Sequence, residues 1–199
     1  MFKQKVLSTP GEVAVTQNSS SVEFQRELAS VSVAAAFTVS SPAVKTFVDG
    51  NVSTGADQVT VSAHGYKTGL KVRLTTTGTL PGGLATATDY YIVLNDGNTI
   101  QFATSAANAS SGSAINITSA AGGGTHTITP QAVGANIILQ TSVDGGTNWI
   151  DLATTAISAT GNLQAIYVAP ATALFRAQVA ITGGQMTVGD IYLSANDDC

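Results

Sequence analysis

Charge is what this sequence has least of. Asp, Glu, Lys and Arg make up 10% of its 199 residues, against roughly 25% in an average soluble domain. A helix in water carries charged and amide side chains on its outer face, and eight Lys and Arg with twelve Asp and Glu cannot furnish several such faces. A helix-rich enzyme is therefore excluded. Cations are too few and too scattered for a nucleic-acid binder, which needs them clustered to displace counterions from phosphates, and the net charge of −4 points the same way. Cysteine occurs once, as Cys199, so no intrachain disulfide can form. Cys199 is expected to be a reduced thiol, with an intermolecular disulfide in an assembly as the alternative. Long apolar runs are missing too: the mean hydropathy is +0.23, but Ser32 and Thr38 interrupt the longest candidate, Val31 to Val39, well short of the roughly 18 residues a membrane helix needs. The first ten residues hold two lysines and no apolar core of signal-peptide length, so no secretory signal is expected.

What is abundant is small or β-branched. Ala, Thr, Gly and Ser supply 94 of the 199 residues, a composition suited to strands with Thr, Ser and Ala on their outer faces. Apolar residues alternate with small polar ones along much of the chain, the period of a half-buried strand. Val31, Val33, Ala35, Phe37 and Val39 predict one long strand. Glu23 to Ala36 can also be drawn as a helix, although Val31, Ser32 and Val33 disfavour it. Further strands are predicted near Val13 to Gln17, Gln58 to Ser62, Leu70 to Thr75, Tyr90 to Leu94, Thr99 to Ala103, Ile115 to Thr118, His126 to Thr129, Asn136 to Ser142, Trp149 to Leu152, Gln164 to Tyr167, Leu174 to Ile181 and Met186 to Leu193. Asn95-Asp96-Gly97-Asn98, Asp144-Gly145-Gly146 and Gly183-Gly184 are turn signals, each expected to join two antiparallel strands. Only Ala103 to Ser111 reads as a helical turn or two. The fold class is all-β: an antiparallel β-sandwich with a second small β domain inserted in a loop.

Composition sets the domain boundaries. Residues 57–129 are rich in Gly and Thr and hold both histidines and three of the five tyrosines, while the flanks carry the one Trp and most of the carboxylates. The predicted organisation is an outer sandwich from 1–50 plus 132–199 and an inserted domain at 57–129, with Val59 to Val61 and His126 to Ile128 pairing to close the insert. An insertion costs little when its ends lie close together. The segment Met1 to Ser21, broken by Pro10-Gly11, is expected to be an attachment arm whose strand-like pieces add to a neighbouring subunit's sheet edge.

Two stretches carry a resemblance. His64-Gly65-Tyr66-Lys67-Thr68-Gly69, then Thr79-Leu80-Pro81-Gly82-Gly83-Leu84, then Asp89-Tyr90-Tyr91-Ile92-Val93 resemble, in that order, a small β module of tailed-bacteriophage virion proteins. Ser142-Val143-Asp144-Gly145-Gly146-Thr147-Asn148-Trp149-Ile150-Asp151-Leu152, with the later Leu174-Phe175-Arg176, is similar to a hairpin of phage β-sandwich proteins, though such hairpins also occur in carbohydrate-binding modules. The resemblance implies a non-enzymatic structural protein of the particle. It would be made in the bacterial host cytoplasm, act in the virion, and bind capsid, portal or neck, or tail subunits. A homo-oligomer in a decoration, collar or neck role is expected, without nucleic acid or membrane. The alternative it leaves open is a module of a tail tip or fibre that binds host-surface glycan.

Individual side chains receive roles on physical grounds. Asp144, Gly145 and Gly146 form the hairpin turn and Trp149 anchors the core beneath it. Arg176 reaches outward or pairs with Asp151 or Asp190, and with Tyr66, Tyr90 and Tyr91 is a candidate exposed contact. Leu80 and Leu84 pack on either side of the Pro81 turn. No metal, cofactor or catalytic residues are assigned. His64, His126 and Cys199 are too few for a zinc site and the two histidines are expected at turns or the surface. No Asp-x-Asp-x-Asp-Gly loop or G-x-S-x-G elbow occurs. Gly122-Gly123-Gly124 lacks the Lys of a phosphate loop and is expected to be a flexible connection.

Overall fold

The computed structural model describes residues 3–7, 11–13, 17–18, 22–23, 30–40, 42–120, 122–132, 134–158, 160–167 and 174–196. The chain is all-β and divides into two units, one of 1–39, 133–181 and 186–199, the other of 40–132 with 182–185. The first five strands are β1 (Lys3–Leu7), β2 (Gly11–Val13), β3 (Gln17–Asn18), β4 (Val22–Glu23) and β5 (Ser30–Ser40). In the second unit follow β6 (Lys45–Phe47), a 3-10 turn (Asp49–Asn51), β7 (Val52–Ser53), β8 (Gln58–Thr60), β9 (Lys71–Thr76), β10 (Asp89–Leu94), β11 (Thr99–Ala103), the one-turn helix α1 (Ala106–Ser110) and β12 (His126–Pro130). The last strands are β13 (Gly134–Ser142), β14 (Ile150–Ile157), β15 (Gly161–Tyr167), β16 (Leu174–Gly183) and β17 (Gln185–Asn196).

The first unit holds two five-stranded sheets. One runs β1-β17-β5-β15 with β2 also on β17, the other β14-β13-β16-β3 with β4 also on β16. In the second sheet Ala135, Ile137 and Leu139 alternate with less buried neighbours on β13, and Phe175, Ala177 and Val179 do so on β16, so one face of that sheet is a core. Burying each of Ile137, Leu139, Phe175 and Val179 contributes about 1.5–3 kcal/mol. Residues 30–40 are strand throughout, which overturns the helical drawing there; 24–29 lie outside the described residues.

In the second unit one seven-stranded sheet runs β6-β12-β9-β10-β11-β8-β7. Its end strands are consecutive in sequence, separated only by Val48 and the turn Asp49–Asn51. Laid flat, seven strands put their outer members about 29 Å apart, whereas five residue steps from Phe47 to Val52 reach at most about 18 Å. The sheet must curl until its two ends approach. The concave face then closes around Phe47, Val59, Leu70, Val72, Leu74, Ile92, Ile100, Phe102 and Ile128, each 2% exposed or less. These residues alternate along their strands, as on β9, where Val72 and Leu74 are buried and Arg73 and Thr75 exposed. On the convex face Val93 and Ala103 are covered by Ala109 of α1, whose first turn is capped by the Ser105 hydroxyl accepting from Asn108 N.

Several expectations are corrected. The sandwich boundary at residue 50 is displaced: β6 pairs with β12, Lys45 facing Ile128 and Phe47 facing His126, so 45–53 belong to the inserted unit. Val59 faces Ile100 rather than β12, so β6 and β12 are the strands that bring the two ends of the insert side by side. The N-terminal pieces expected to be an arm pair within their own chain: Lys3–Leu7 with Ile191–Ala195, Gly11–Val13 with Met186–Val188, and Gln17–Asn18 with Gln178–Val179. Residues 115–118 are no strand. Ile115 N donates to Phe102 O, Ile117 N to Asp57 Oδ1 and Thr118 N to Gly82 O, three partners on three segments instead of one ladder. Gly183-Gly184 joins β16 and β17, which lie in different sheets, so it is not a hairpin turn.

Gly122-Gly123-Gly124 is fixed rather than flexible. Gly123 N donates to Asp49 Oδ2 at 2.8 Å and Gly122 N to Thr79 O at 3.0 Å. A Cβ on Gly78 would stand 1.9 Å from Gly123 O, so this close backbone crossing admits only glycine.

Because β6 and β12 are adjacent and antiparallel, replacing residues 42–131 by a short Gly-Ser bridge is expected to leave the first unit with a cooperative denaturant transition. The shorter excision of 57–129, which strands β6 and β7 without partners, should broaden or abolish it.

Candidate functional site

The turn between β13 and β14 is densely bonded. Gly145 and Gly146 take φ of 74° and 90°, values that only glycine adopts without strain. Asp144 organises the turn: its Oδ1 accepts from Ser142 Oγ at 2.6 Å, Asn148 N at 2.9 Å and Thr147 N at 3.1 Å, and its Oδ2 from Asn148 Nδ2 at 2.7 Å. Ser142 Oγ in turn accepts from Gly146 N at 2.9 Å. These donors favour the ionised carboxylate, those of Asn148 N first, and hold its pKa down at about 2.

Trp149 is not the core anchor expected of it. It lies partly buried beside the turn, its Nε1 donating to Gly146 O at 3.0 Å, and the Arg176 guanidinium lies over its ring at 4.2 Å from the centroid. The geometric reason is that the indole folds back onto its own turn instead of crossing the sheet. Arg176 is itself partly buried, and its Nε donates to Gln140 Oε1 at 2.7 Å, while Gln140 Nε2 donates to Asp151 Oδ1 at 2.7 Å. Arg176 thus reaches Asp151 through Gln140. Gln140 is 7% exposed and was not singled out from the sequence, because an amide at that position becomes a bridge only once β16, β13 and β14 lie side by side. The Asp190 side chain and Cys199 lie outside the described residues. Beside the turn, Val143 and Ile150 are 67% and 58% exposed.

In the second unit the motif residues point inward. Tyr66, expected as an exposed contact, is 1% exposed. Its hydroxyl donates to Ala43 O at 2.9 Å and receives a hydrogen bond from the Lys45 backbone, and burial pushes its pKa up to about 12. Tyr90 is 4% exposed, edge-on to Phe102 at 6.0 Å, with its hydroxyl oxygen accepting from Ala85 N at 2.7 Å. Tyr91 occupies the other face, as alternation requires, but packs on Val93, Ala103 and Ala109 because α1 covers that face. None of the three is the open ring the sequence suggested.

Both histidines are buried as well, His64 at 3% and His126 at 0% exposure. His64 Nδ1 accepts from Tyr66 N at 2.9 Å and Nε2 meets Asp96 O at 2.9 Å, so the neutral ring protonated on Nε2 satisfies both partners. His126 Nδ1 meets Thr76 Oγ1 at 2.7 Å and its Nε2 lies 3.4 Å from Asp49 Oδ1, with Phe47 tilted against the ring at 4.8 Å. Each histidine has its own set of partners, and no group of three or more His, Cys, Asp or Glu capable of holding a metal occurs among the described residues. Gln185, 2% exposed, fixes the His64-Gly65-Tyr66 turn: its Oε1 accepts from Lys67 N at 3.2 Å and its Nε2 donates to Gly65 O at 3.3 Å. A separation of about 120 residues leaves no sequence signal for that contact.

The Leu80-Pro81 turn is buried, and Gly82 N donates to Ser119 O at 3.1 Å. Leu84 on its far side is only partly buried and lines a shallow open cleft with Thr76, Thr79, Leu80 and Thr86. That lining carries no charge. At the exposed surface Asp89 meets Arg73 Nε and Lys71 Nζ, at 2.5 and 2.6 Å, and the Arg73 bond is the leading cause holding its carboxyl below the usual range. Asp96 is lowered likewise, first by Asn98 N. Such exposed pairs add little stability.

Two titrations follow from these shifts. The Asp144 contribution is present above the ordinary carboxylate value near 4 and disappears as pH falls towards about 2; Asp144→Ala should melt lower than the parent at neutral pH, with the gap closing over that interval in calorimetric scans. Tyr66 acts in the opposite sense. Its contribution is complete below pH 10 and is lost as pH rises towards about 12, so absorbance at the phenolate band should show a late ionisation step that Tyr66→Phe removes.

No protein-family model matches the sequence, and no curated protein matches it.

Proposed function

We propose that this chain is a non-enzymatic structural subunit of a tailed-bacteriophage particle, which binds neighbouring capsid, neck or tail subunits and presents the inserted β unit outward in a decoration, collar or neck role. The observation that carries this reading is the ordered set of three motifs within one unit, His64 to Gly69, Thr79 to Leu84 and Asp89 to Val93, together with the work their side chains do. His64 and Tyr66 bond to backbone, Gly82 bonds the 118–119 segment, and Tyr90 fills the concave core. Motif residues that serve a fold suit a displayed building block, whereas a binding module needs its aromatic rings in solvent.

The glycan-binding alternative draws no support from these positions. Tyr66 and Tyr90 are buried, Tyr91 packs on α1, and Arg176 occupies one face of Trp149. Low charge agrees with a subunit stabilised by its neighbours, since interfaces in a symmetric assembly add to the stability of a modest core.

Cryo-electron microscopy of the particle formed in the bacterial host is the test. Density for this chain on the capsid lattice, or as a ring at the neck, is the expected result. Density confined to a distal tail tip would return the glycan reading, and absence of the chain from purified particles would overturn the proposal.

A further inference from the structure

Strand β14 ends the order β14-β13-β16-β3, so one of its edges presents main-chain N–H and C=O groups with no strand beside them among the described residues. Proteins blunt such edges with lysine, proline, bulges or short length. The inserted unit does so: its end strands span three and two residues and are drawn together by the curl. Strand β14 has eight residues, Ile-Asp-Leu-Ala-Thr-Thr-Ala-Ile, with one charge and no lysine or proline. Its single irregularity falls between Leu139 and Gln140, opposite Leu152, which leaves Ala153 to Ile157 in unbroken register with β13. Thr154 and Ala156 are exposed, Ala153 and Thr155 partly so.

We propose that this edge pairs with the same edge of a second copy of the chain, β14 running antiparallel to β14 about a two-fold axis at Thr155. The two sheets become one continuous sheet. That register sets Ala153 opposite Ile157, Thr154 opposite Ala156 and Thr155 opposite its own counterpart, and the facing threonines can hydrogen-bond across the axis. A second copy is the occupant that the chemistry favours. The regular run carries no charge, so self-pairing brings no like charges together even though the chain as a whole is at −4. Side chains as short as Thr154 and Ala156 form no pocket with which to select a foreign peptide. Register, set by centring the axis on the regular run Ala153 to Ile157, supplies the specificity instead. This inference rests on the strand edge alone and not on the particle reading.

The test is sedimentation velocity of the full chain carrying Cys199→Ser, over a concentration series from micromolar upward. A dimer is expected. In the proposed register Thr154→Lys with Ala156→Lys puts lysine opposite lysine twice, and should raise the dimer dissociation constant by about tenfold or more. Thr154→Lys with Ala156→Glu puts lysine opposite glutamate and should restore the parent affinity or exceed it. Both pairs change exposed side chains, and unchanged circular dichroism confirms that the variants fold. Thr155→Cys in the same background should cross-link between copies on mild oxidation, and Thr86→Cys should not. A monomer at every concentration, or equal behaviour of the two double variants, would overturn the proposal, and either result would leave the location of the chain in a particle to its own measurement.

Discussion

The reach of four residues governs the inserted unit. Val48 and the turn Asp49–Asn51 are all that separate the two ends of a seven-stranded sheet, and a chain that short cannot span a flat sheet of that width. Curling follows, and much else follows from curling. The concave face becomes deep enough to exclude water from Phe47, Phe102 and a set of branched aliphatics. It also takes in the polar groups that lie among them. His126 enters from β12 and is tied to Thr76 on the adjacent β9 and to Asp49 of the turn itself. Asp49 then also holds Gly123, so the residue that makes the turn fixes the glycine segment packed over it.

Polar groups buried in this way cost free energy unless they are bonded, and the unit answers by giving each of them a partner. No buried side-chain nitrogen or oxygen lacks a partner among the described residues. Tyr66, His64 and Gln185 illustrate the pattern, for each bonds mainly to backbone and so fixes loops. The same economy of charge appears in the first unit at the β13–β14 turn. There one carboxylate, Asp144, collects donors from Ser142, Thr147 and Asn148, and one cation, Arg176, serves both an indole ring and an amide. Asp144 and Arg176 are thus each shared among several partners.

Strand identity was largely legible because alternation is local: the side chains of β9 declare their buried and open faces residue by residue, and those of β10, β11 and β13 do so over their first residues. Turn chemistry was legible for the same reason, as at Asp144-Gly145-Gly146 and at Asp96, whose Oδ1 accepts from Asn98 N and Thr99 N. Aromatic exposure was not. Alternation puts Tyr90 and Tyr91 on opposite faces but cannot say that the outer face is roofed by a helix as short as α1. Nor could it say that Trp149 turns back to its own hairpin while Arg176 comes to cover it.

By itself, the sequence determined the class of structure: too little charge for helical surfaces, one cysteine and so no internal cross-link, and a period of two that commits the chain to sheets. Those properties depend on neighbours within a few residues and need no knowledge of the rest of the chain. Tertiary structure alone decided where the inserted unit begins, which strand closes it, and which side chains water can reach. Each of these turns on pairing between residues far apart, as where Lys45 meets Ile128 or Gln185 meets Gly65. Such pairing is settled by closure of the sheet and satisfaction of buried polar groups, constraints that act on the folded whole and leave no period in the sequence.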